Sequence, residues 1–350
     1  MNVLVTGGAG YIGSHAAQRL LADGHDVVVV DNLFRGHARA IDRLRERAKG
    51  GDRLGFERVD IGQTDEIERI LRERRVDTIM HFAAWTYVGE SVQKPLDYYH
   101  NNTAGSLSLV RACERSWRNA HGGVRRFVFS STAATYGEPP ADRVPIREDC
   151  PQSPINPYGA SKLMVERFLR DAVAAATRAG EPFAAACLRY FNVAGADQTG
   201  IIGEDHDPET HLIPIAIQAA MGRRPGMTIF GQDYPTPDGT CVRDYVHVED
   251  LADAHVTVMS RMQPGECVAY NLGIGRGYSV REVIAAVERV TGKSIPVTMG
   301  ERRPGDPPVL FADPSTIRRD LGWAASWTDL EKIIATAWQW MRQNPEGYKS

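Results

Sequence analysis

This sequence has little cysteine, no long apolar run and no marked excess of charge. Its five cysteines are far apart and form no C-x-x-C pair, which argues against a disulfide framework and favours reduced thiols. No stretch approaches the ~18 apolar residues of a membrane-spanning helix. The formal net charge of −3 argues against a nucleic-acid partner or an anionic membrane. The N-terminus lacks the basic region of a signal peptide, so we expect a cytoplasmic protein.

What is present is a regular alternation of short β-branched runs and longer helical patterns. The predicted strands of the first part of the chain are Val3–Thr6, Val27–Asp31, Gly55–Asp60, Asp77–Ala83 and Arg126–Ser131. The predicted helices between them are Ile12–Asp23, Arg39–Lys49 and Thr64–Arg74, the last capped by Thr64. This alternation predicts an α/β fold with a doubly wound parallel sheet.

The later part of the chain is less regular. We predict a long helix at Tyr158–Thr177, a strand at Ala184–Phe191, a strand at Cys241–Val248 and a helix at Val248–Ser260. Two domains are expected. Residues 1–192 with 239–268 would bind a cofactor, and residues 193–238 with 269–350 would form a smaller substrate domain.

A glycine-rich loop separates the first predicted strand from the first helix. Its sequence, Gly7-Gly8-Ala9-Gly10-Tyr11-Ile12-Gly13, matches both G-x-x-G-x-x-G and G-x-G-x-x-G. The first glycines permit a tight turn, Gly10 lets backbone N–H groups approach a pyrophosphate, and Gly13 lets the helix pack close to the sheet. The loop therefore predicts a dinucleotide cofactor.

Asp31, at the end of the second predicted strand, indicates which dinucleotide. A carboxylate there can accept hydrogen bonds from the adenosine ribose and would repel a 2′-phosphate, which favours NAD. Arg35 lies close enough in sequence to keep NADP as an alternative. Asp60 and Ile61 are candidates for an adenine contact, and a helix-capping role for Asp60 is equally open.

Tyr158 and Lys162 form a Y-x-x-x-K pattern and share one face of the predicted helix. A free tyrosine has a pKa of about 10, and a nearby ammonium, together with a positive nicotinamide ring, would bring that pKa toward neutrality. The hydroxyls of Ser130-Ser131-Thr132 end a predicted strand, at the sheet edge where ligands bind in open α/β folds. In this order the motifs predict a dehydrogenase-type site.

These motifs resemble the extended short-chain dehydrogenase/reductase family and, in it, the UDP-sugar 4-epimerases. The resemblance extends over nearly the whole chain. The stretches that carry it include VLVTGGAGYIGSH at 3–15, FSSTAATYGE at 129–138, PYGASKLMVE at 157–166, RYFNVAGA at 189–196, PTPDGTCVRDYVHV at 235–248 and RRPGD at 302–306. It implies a Rossmann-type sheet with a smaller, mixed α/β C-terminal domain. The implied activity is an isomerase reaction, the reversible inversion at carbon 4 of UDP-glucose and UDP-galactose. It would pass through a 4-keto intermediate with transient hydride transfer to NAD.

The resemblance also implies roles for individual residues. Catalysis would fall to Tyr158, Lys162 and Thr132, whose hydroxyl would bond the sugar 4-hydroxyl. The cofactor would be contacted by Gly7, Gly10, Tyr11, Ile12, Gly13, Asp31, Asn32, Asp60, Ile61, Phe82, Ala83, Ala84, Asn101, Ser130, Tyr158, Lys162 and Tyr190. The UDP-sugar would be contacted by Thr132, Tyr158, Phe191, Asn192, His211, Leu212, Thr228, Ile229, Phe230, Arg243, Tyr245, Arg303 and Asp306. No metal is expected, because His211 has no second ligand at helical spacing.

Three alternatives remain open at particular positions. Ala133 and Ala134 stand where sugar-nucleotide 4,6-dehydratases resembling this chain have acidic residues, and alanine transfers no proton, which disfavours that activity. Leu310 stands where the family has a tyrosine, or a smaller residue in members that accept N-acetylated hexosamines. Epimerisation of UDP-N-acetylglucosamine therefore stays open. Epimerisation of UDP-xylose/UDP-arabinose also stays open, because it would use the same catalytic residues.

Further expectations follow from the resemblance. Thr86 replaces a lysine of some branches, which puts one cofactor contact in doubt. A non-catalytic NAD-binding protein is disfavoured, because both Tyr158 and Lys162 are present. Members of the family usually form homodimers, and the candidate interface helices are Asp97–Arg118 and Tyr158–Thr177.

Overall fold

The computed structural model describes residues 1–47, 51–117, 122–303 and 306–349. The strands are β1 (Asn2–Thr6), β2 (Asp26–Val30), β3 (Leu54–Glu57), β4 (Thr78–His81), β5 (Arg126–Thr132), β6 (Ala184–Tyr190), β7 (Asn192–Ala194), β8 (Met227–Phe230), β9 (Val242–Arg243), β10 (Tyr245–His247), β11 (Cys267–Leu272), β12 (Tyr278–Ser279), β13 (Val297–Gly300) and β14 (Val309–Leu310). The α-helices are α1 (Tyr11–Ala22), α2 (Ala38–Arg47), α3 (Thr64–Glu73), α4 (Val88–Gln93), α5 (Pro95–Tyr98), α6 (Gly105–Ser116), α7 (Pro157–Arg178), α8 (Leu212–Ala220), α9 (Val248–Arg261), α10 (Val280–Thr291), α11 (Ser315–Leu321) and α12 (Leu330–Gln343).

The chain divides into two compact units. The first comprises Met1–Gly137, Gln152–Arg189 and Ala252–Tyr270. The second comprises Glu138–Pro151, Tyr190–Leu251 and Asn271–Ser350. Residues 138–151, 190–192 and 239–251, which the sequence assigned to the cofactor domain, thus lie in the second unit, and residues 269–270, assigned to the substrate domain, lie in the first. The roles of the two domains remain predictions.

The central sheet belongs to the first unit and is built on continuous valine runs. Its seven strands are ordered β11-β6-β5-β4-β1-β2-β3. β1 lies parallel to both β2 and β4, and β2–β3 and β4–β5 are also parallel pairs. Val3, Leu4 and Val5 of β1 are fully buried, as expected for a parallel strand covered on both faces. This order confirms the Rossmann-type doubly wound sheet, in which β2 and β3 lie on one side of β1 and β4, β5, β6 and β11 on the other.

Most predicted boundaries in the first unit hold within a few residues, but the predicted cap of α3 and the predicted single helix Asp97–Arg118 do not. Thr64 was predicted as the cap of α3, yet it is the first helical residue, and Gln63 precedes it without a side-chain cap bond. The predicted single helix Asp97–Arg118 comprises α5, a π-helical segment (Tyr99–Ala104) and α6, and Arg118 lies outside the described residues. The predicted helix Arg39–Lys49 is α2, and Lys49 lies outside them too.

The second unit contains small sheets rather than one large one. β7 pairs with β10, β8 with β13, and β9 with both β12 and β14. The predicted strand Cys241–Val248 is therefore wrong as a single element, because it divides at Asp244 into β9 and β10, which belong to different sheets. Helix α10 packs against both α8 and α12, and Ser279 and Glu282 cap its start reciprocally.

Within the described ranges, no helix has both the length and the apolar character that a membrane crossing requires.

Candidate active site

The glycine loop connects β1 to α1 in a turn that only glycine can make at two positions. Gly7 has a φ of +69°, and a Cβ there would lie 2.5 Å from the backbone nitrogen of Ala83. A Cβ at Gly13 would lie 2.2 Å from the carbonyl oxygen of Gly7. The predicted reason for Gly13, close approach of helix and strand, is thus visible in the packing of this loop.

The N-terminus of α1 fits the phosphates of a dinucleotide. The helix begins at Tyr11, and Gly10 before it offers no side-chain cap. Apart from its chain neighbours and the Gly7 carbonyl oxygen, no atom of the described residues lies within 4 Å of a Cβ built at Gly10. The first N–H groups of a helix have no partner inside the helix and attract anions. This open space at an uncapped helix start is where the family's cofactor would place its pyrophosphate.

Asp31 follows β2 and holds the loop from the other side. Its carboxylate accepts hydrogen bonds from the N–H groups of Ala9 (3.0 Å) and Leu33 (2.8 Å). Burial raises the pKa of Asp31, and the two backbone N–H groups oppose that rise. Asn32 beside it donates to Asp60 (2.7 Å), so two predicted adenosine contacts are hydrogen-bonded to each other.

Arg35, the residue that left NADP as an alternative cofactor, already has partners within the protein. Its guanidinium forms an ion pair with Glu90 and lies 4.1 Å from the ring centroid of Tyr87. A guanidinium neutralised by a carboxylate is a poor partner for a 2′-phosphate. Asp31 and the Arg35–Glu90 pair therefore both favour NAD.

Lys162 and Tyr158 lie on α7 opposite the end of β5, as predicted. The Lys162 ammonium donates to the carbonyl oxygen of Ser130 at 2.8 Å. Burial lowers the pKa of Lys162 to about 7, against the opposing charge of Glu166. The interaction with the Thr132 side chain lowers the pKa of Tyr158. Burial outweighs this interaction and raises the pKa of Tyr158 to about 12.

The end of β5 has no acidic side chain beyond Thr132. Ala133 and Ala134 begin a 3₁₀ turn, Ala133–Thr135. The N–H of Ala134 donates to the Thr132 hydroxyl oxygen at 3.1 Å. This turn fixes the Thr132 side chain beside Tyr158 and places only methyl groups where dehydratases have carboxylates.

Glu166 is a buried residue that the sequence reasoning missed. It forms a bidentate pair with Arg189 (2.6 and 3.0 Å), and both side chains are nearly inaccessible. It also accepts hydrogen bonds from Ser131 and from Gln152. These bonds join α7 to β5 and β6. Its position four residues after Lys162 in PYGASKLMVE was the available signal.

The other predicted cofactor contacts in the first unit lie around the same strand ends. Phe82 packs against His255, with ring centroids 4.7 Å apart, and Ile61 is buried beside Gly105. Asn101 donates to its neighbour Asn102 (2.9 Å), whose own amide bonds Ser161 (3.1 Å). Ala83 and Ala84 follow β4 on the loop that touches Gly7. Thr86, on the same loop, is exposed.

In the second unit, the predicted substrate residues meet on short strands. Arg243 of β9 pairs with Asp306 (3.1 Å), and Leu310 of β14 lies in register with Arg243. Arg303 lies 3.9 Å from the ring centroid of Phe230, which ends β8 after Thr228 and Ile229.

Other predicted residues of this unit lie near β7 and α8. Tyr190 ends β6, Phe191 follows it, and Asn192 begins β7. Asn192 donates to the carbonyl oxygen of Asp244, and Tyr245 of β10 is buried. His211 precedes Leu212, the first residue of α8, and its imidazole contacts Glu204 and Glu209.

Asp244 is a second residue that the sequence reasoning missed. It is fully buried and accepts N–H bonds from Ile274 (3.0 Å), Gly275 (3.3 Å) and Ala312 (3.3 Å). Burial raises its pKa to about 7, and these bonds oppose the rise. Asp244 therefore fixes the backbone beside Arg243. A charged residue inside an otherwise strand-like run was its signal.

The two units thus carry a dinucleotide cradle with a tyrosine–lysine pair and a group of arginine and aromatic side chains. This combination defines a short-chain dehydrogenase type of protein. A family model described as the NAD dependent epimerase/dehydratase family matches residues 3–273, and the chain belongs to that family.

Individual relatives cover the whole chain. It is 48% identical to a UDP-glucose 4-epimerase of Lacticaseibacillus casei over 99% of both proteins. It is 44% identical to a probable UDP-arabinose 4-epimerase of Oryza sativa over 100% of this chain and 84% of that protein. The crystal structure of a UDP-glucose-4-epimerase from Stenotrophomonas maltophila, with bound NAD and formylated UDP-arabinopyranose, has a TM-score of 0.90, 41% identity and 99% coverage of both chains.

Proposed function

We propose that this protein is an NAD-dependent UDP-sugar 4-epimerase whose principal substrates are UDP-glucose and UDP-galactose. The observation that carries the proposal is the placement of Tyr158 and the buried Lys162 on α7, with Lys162 bonded to the end of β5, where Thr132 is followed by Ala133 and Ala134. One acid–base tyrosine and no second proton-transfer group suit oxidation and re-reduction at a single carbon.

Three residues of the chain have distinct roles in the proposed reaction. Tyr158 accepts the proton of the sugar 4-hydroxyl at its phenolic oxygen and returns it later, while Thr132 orients that hydroxyl. Lys162, fixed by the Ser130 carbonyl, would favour the phenolate when it carries its proton. Bound NAD supplies the hydride acceptor, and its positive ring favours the phenolate.

The cofactor assignment and the domain roles rest on the same chemistry. The uncapped start of α1, with Asp31 and the paired Arg35, suits NAD in the first unit. Arg303 suits a diphosphate, because guanidinium groups bind phosphate oxygens in bidentate fashion, and Arg243 would do so once it leaves its ion pair with Asp306. A firmly held diphosphate leaves the hexose free to present either face of its carbon 4.

A pentose substrate is the second candidate. It is favoured by the rice relative named for UDP-arabinose and by the bound ligand of the Stenotrophomonas enzyme. The wide similarity to enzymes named for UDP-glucose favours the hexose. We accordingly infer a place in the interconversion of galactose and glucose nucleotides in the cytoplasm.

Steady-state assays with UDP-galactose, UDP-N-acetylgalactosamine and UDP-arabinose test the function. We expect the highest kcat/KM with UDP-galactose. Tyr158→Phe should lower kcat by about 10²–10⁴-fold, the usual share of an acid–base group, while the purified protein retains its NAD. Tyr348→Phe, which removes a hydroxyl bonded to the Gly203 backbone in the second unit, is the matched control. Purified protein that holds NAD but converts none of the three sugars would refute the proposal.

A homodimer is part of the proposal. Large apolar side chains are exposed on consecutive helices of the first unit: Val92 of α4, Leu96 of α5, Leu107 of α6 and Met164 of α7. Leu96 is 78% exposed, and such patches on a soluble protein often mark interfaces. Light scattering should give twice the chain mass for the wild type and the chain mass for Leu96→Glu with Leu107→Glu. A monomeric wild type would refute the dimer.

A further inference from the structure

Four metal-ligating side chains converge in the segment that precedes α8. Glu204, His206, Glu209 and His211 each point one ligand atom into the group, and these atoms all lie within 4.8 Å of one another. The spacing of the four residues follows neither a helix nor a strand. The loop that carries them folds back on itself. His211 therefore has three potential partners, although none of them lies at a helical spacing from it.

The distances match a tetrahedral cation site. The Nδ1 atom of His206 lies 3.1 Å from Glu204 and 3.6 Å from Glu209. The Nδ1 atom of His211 lies 3.0 Å from Glu204 and 2.9 Å from Glu209. Zinc binds imidazole nitrogen and carboxylate oxygen at about 2.0–2.2 Å, which puts neighbouring tetrahedral ligands roughly 3.3 Å apart.

The charges of the cluster demand compensation. The side chains of Glu204 and Glu209 are only 7% and 5% exposed, and two buried carboxylates this close repel each other. Either two imidazolium groups or one dication with two neutral imidazoles restores the balance. Glu209 is also oriented by N–H bonds from Thr210 (2.7 Å) and His211 (2.8 Å), the kind of outer support that metal-binding carboxylates have.

We propose that Glu204, His206, Glu209 and His211 bind a zinc ion. Two imidazoles and two carboxylates form a ligand set that zinc accepts, and hard cations such as Mg²⁺ would use more oxygen ligands. Four protein ligands leave no open position, so the ion is structural. It ties the loop to His211, the residue that precedes α8, and the half-exposed His211 ring gives the ion its entry path. The site shares His211 with the predicted UDP-sugar contacts, so the test variants are placed at Glu204 and His206.

Metal content and stability test the proposal without any substrate. The full-length protein is stripped with a chelator, equilibrated with zinc sulfate, desalted and analysed for zinc by mass spectrometry, and its thermal midpoint is measured with and without zinc. We expect stoichiometric zinc and a higher midpoint in its presence. Glu204→Gln and His206→Gln should lose both effects.

Asp207→Asn is the matched control, because Asp207 is exposed in the same segment and loses its charge by the same carboxylate-to-amide change. It should keep both the zinc and the stabilisation. Cobalt(II) bound to the wild type should give the intense visible absorption of a tetrahedral ion, a readout that needs no folded variant. Wild-type protein that retains no zinc, a weak octahedral cobalt spectrum, or zinc loss in Asp207→Asn as well would overturn the proposal in favour of imidazolium–carboxylate ion pairs.

Discussion

Lys162 donates its ammonium proton to the main-chain carbonyl of Ser130 across a distance of 2.8 Å, and only 2% of the lysine is exposed. The bond joins the second turn of α7 to the end of β5, the strand that carries Thr132. It therefore sets the height of Tyr158 above the sheet edge. The burial that fixes Lys162 also lowers its pKa, so the ammonium loses its proton more easily.

The first prediction concerns the pH dependence of stability in NAD-free protein. Burial lowers the pKa of Lys162 from 10.5 to about 7, so between these values the unfolded chain binds more protons than the folded one. The free energy of unfolding should then rise with pH across this window, by up to about 1.4 kcal/mol per pH unit from this group. The destabilisation caused by burying the charged Lys162 side chain is fully present below pH 7. Urea unfolding at successive pH values should show this rise in the wild type relative to Lys162→Met, and parallel curves would contradict it.

The second prediction concerns Glu166. Replacement by Gln leaves the buried guanidinium of Arg189 without its counter-charge, which should cost about 3–5 kcal/mol in the free energy of unfolding. It should also lower the pKa of Lys162 further, because Glu166 raises it. The alkaline limb of the kcat profile then moves to lower pH if the lysine must be charged. Denaturant unfolding and a pH–rate profile measure the two effects.

The control for Glu166 is another arginine–glutamate pair. Arg125 and Glu181 are bonded at 2.7 Å but are 25% and 32% exposed. Glu181→Gln should cost at most about 1 kcal/mol and leave the pH profile in place. Equal losses in the two variants would show that burial does not govern the role of Glu166.

The sequence predicted the elements in which pattern and chemistry agree. β1, β2 and α7 have the predicted bounds within a residue or two, because valine runs, glycine punctuation and the Tyr158/Lys162 spacing each specify the same local structure. The Arg189–Glu166 pair was not predicted, because its residues are 23 apart in sequence and meet only when β6 lies against α7.

The errors have physical causes as well. Cys241–Val248 has the composition of one strand, but the Asp244 carboxylate bonds three backbone N–H groups and the pairing partner changes there. The group around His211 depends on the path of a loop, which periodicity does not encode. Neither the break at Asp244 nor the loop around His211 can be found by searching the sequence for a helix period or a strand period.

The third prediction concerns cofactor choice. Asp31→Asn removes the charge that repels a 2′-phosphate and keeps one oxygen, which can accept from the N–H of Ala9 or of Leu33 but not from both. Adding Glu90→Gln removes the counter-charge of Arg35. The double variant should gain roughly 10-fold or more in NADP affinity over Asp31→Asn alone, as expected for one charged hydrogen bond. Fluorescence titration with NAD and NADP measures it. An equal NADP affinity in both variants would show that Arg35 does not reach the phosphate.

The fourth prediction concerns the breadth of sugar specificity. Leu310 lies in register with Arg243 across β14 and β9, so its side chain emerges beside a proposed diphosphate contact. Leu310→Tyr should narrow the space for a 2-acetamido group and lower kcat/KM for UDP-N-acetylgalactosamine about 10-fold more than for UDP-galactose. Val309→Ile enlarges the neighbouring residue, whose side chain points to the opposite face of the strand, and should affect both sugars alike. If Leu310→Tyr lowers kcat/KM equally for UDP-N-acetylgalactosamine and UDP-galactose, Leu310 affects strand packing. Another residue then determines which sugar is accepted.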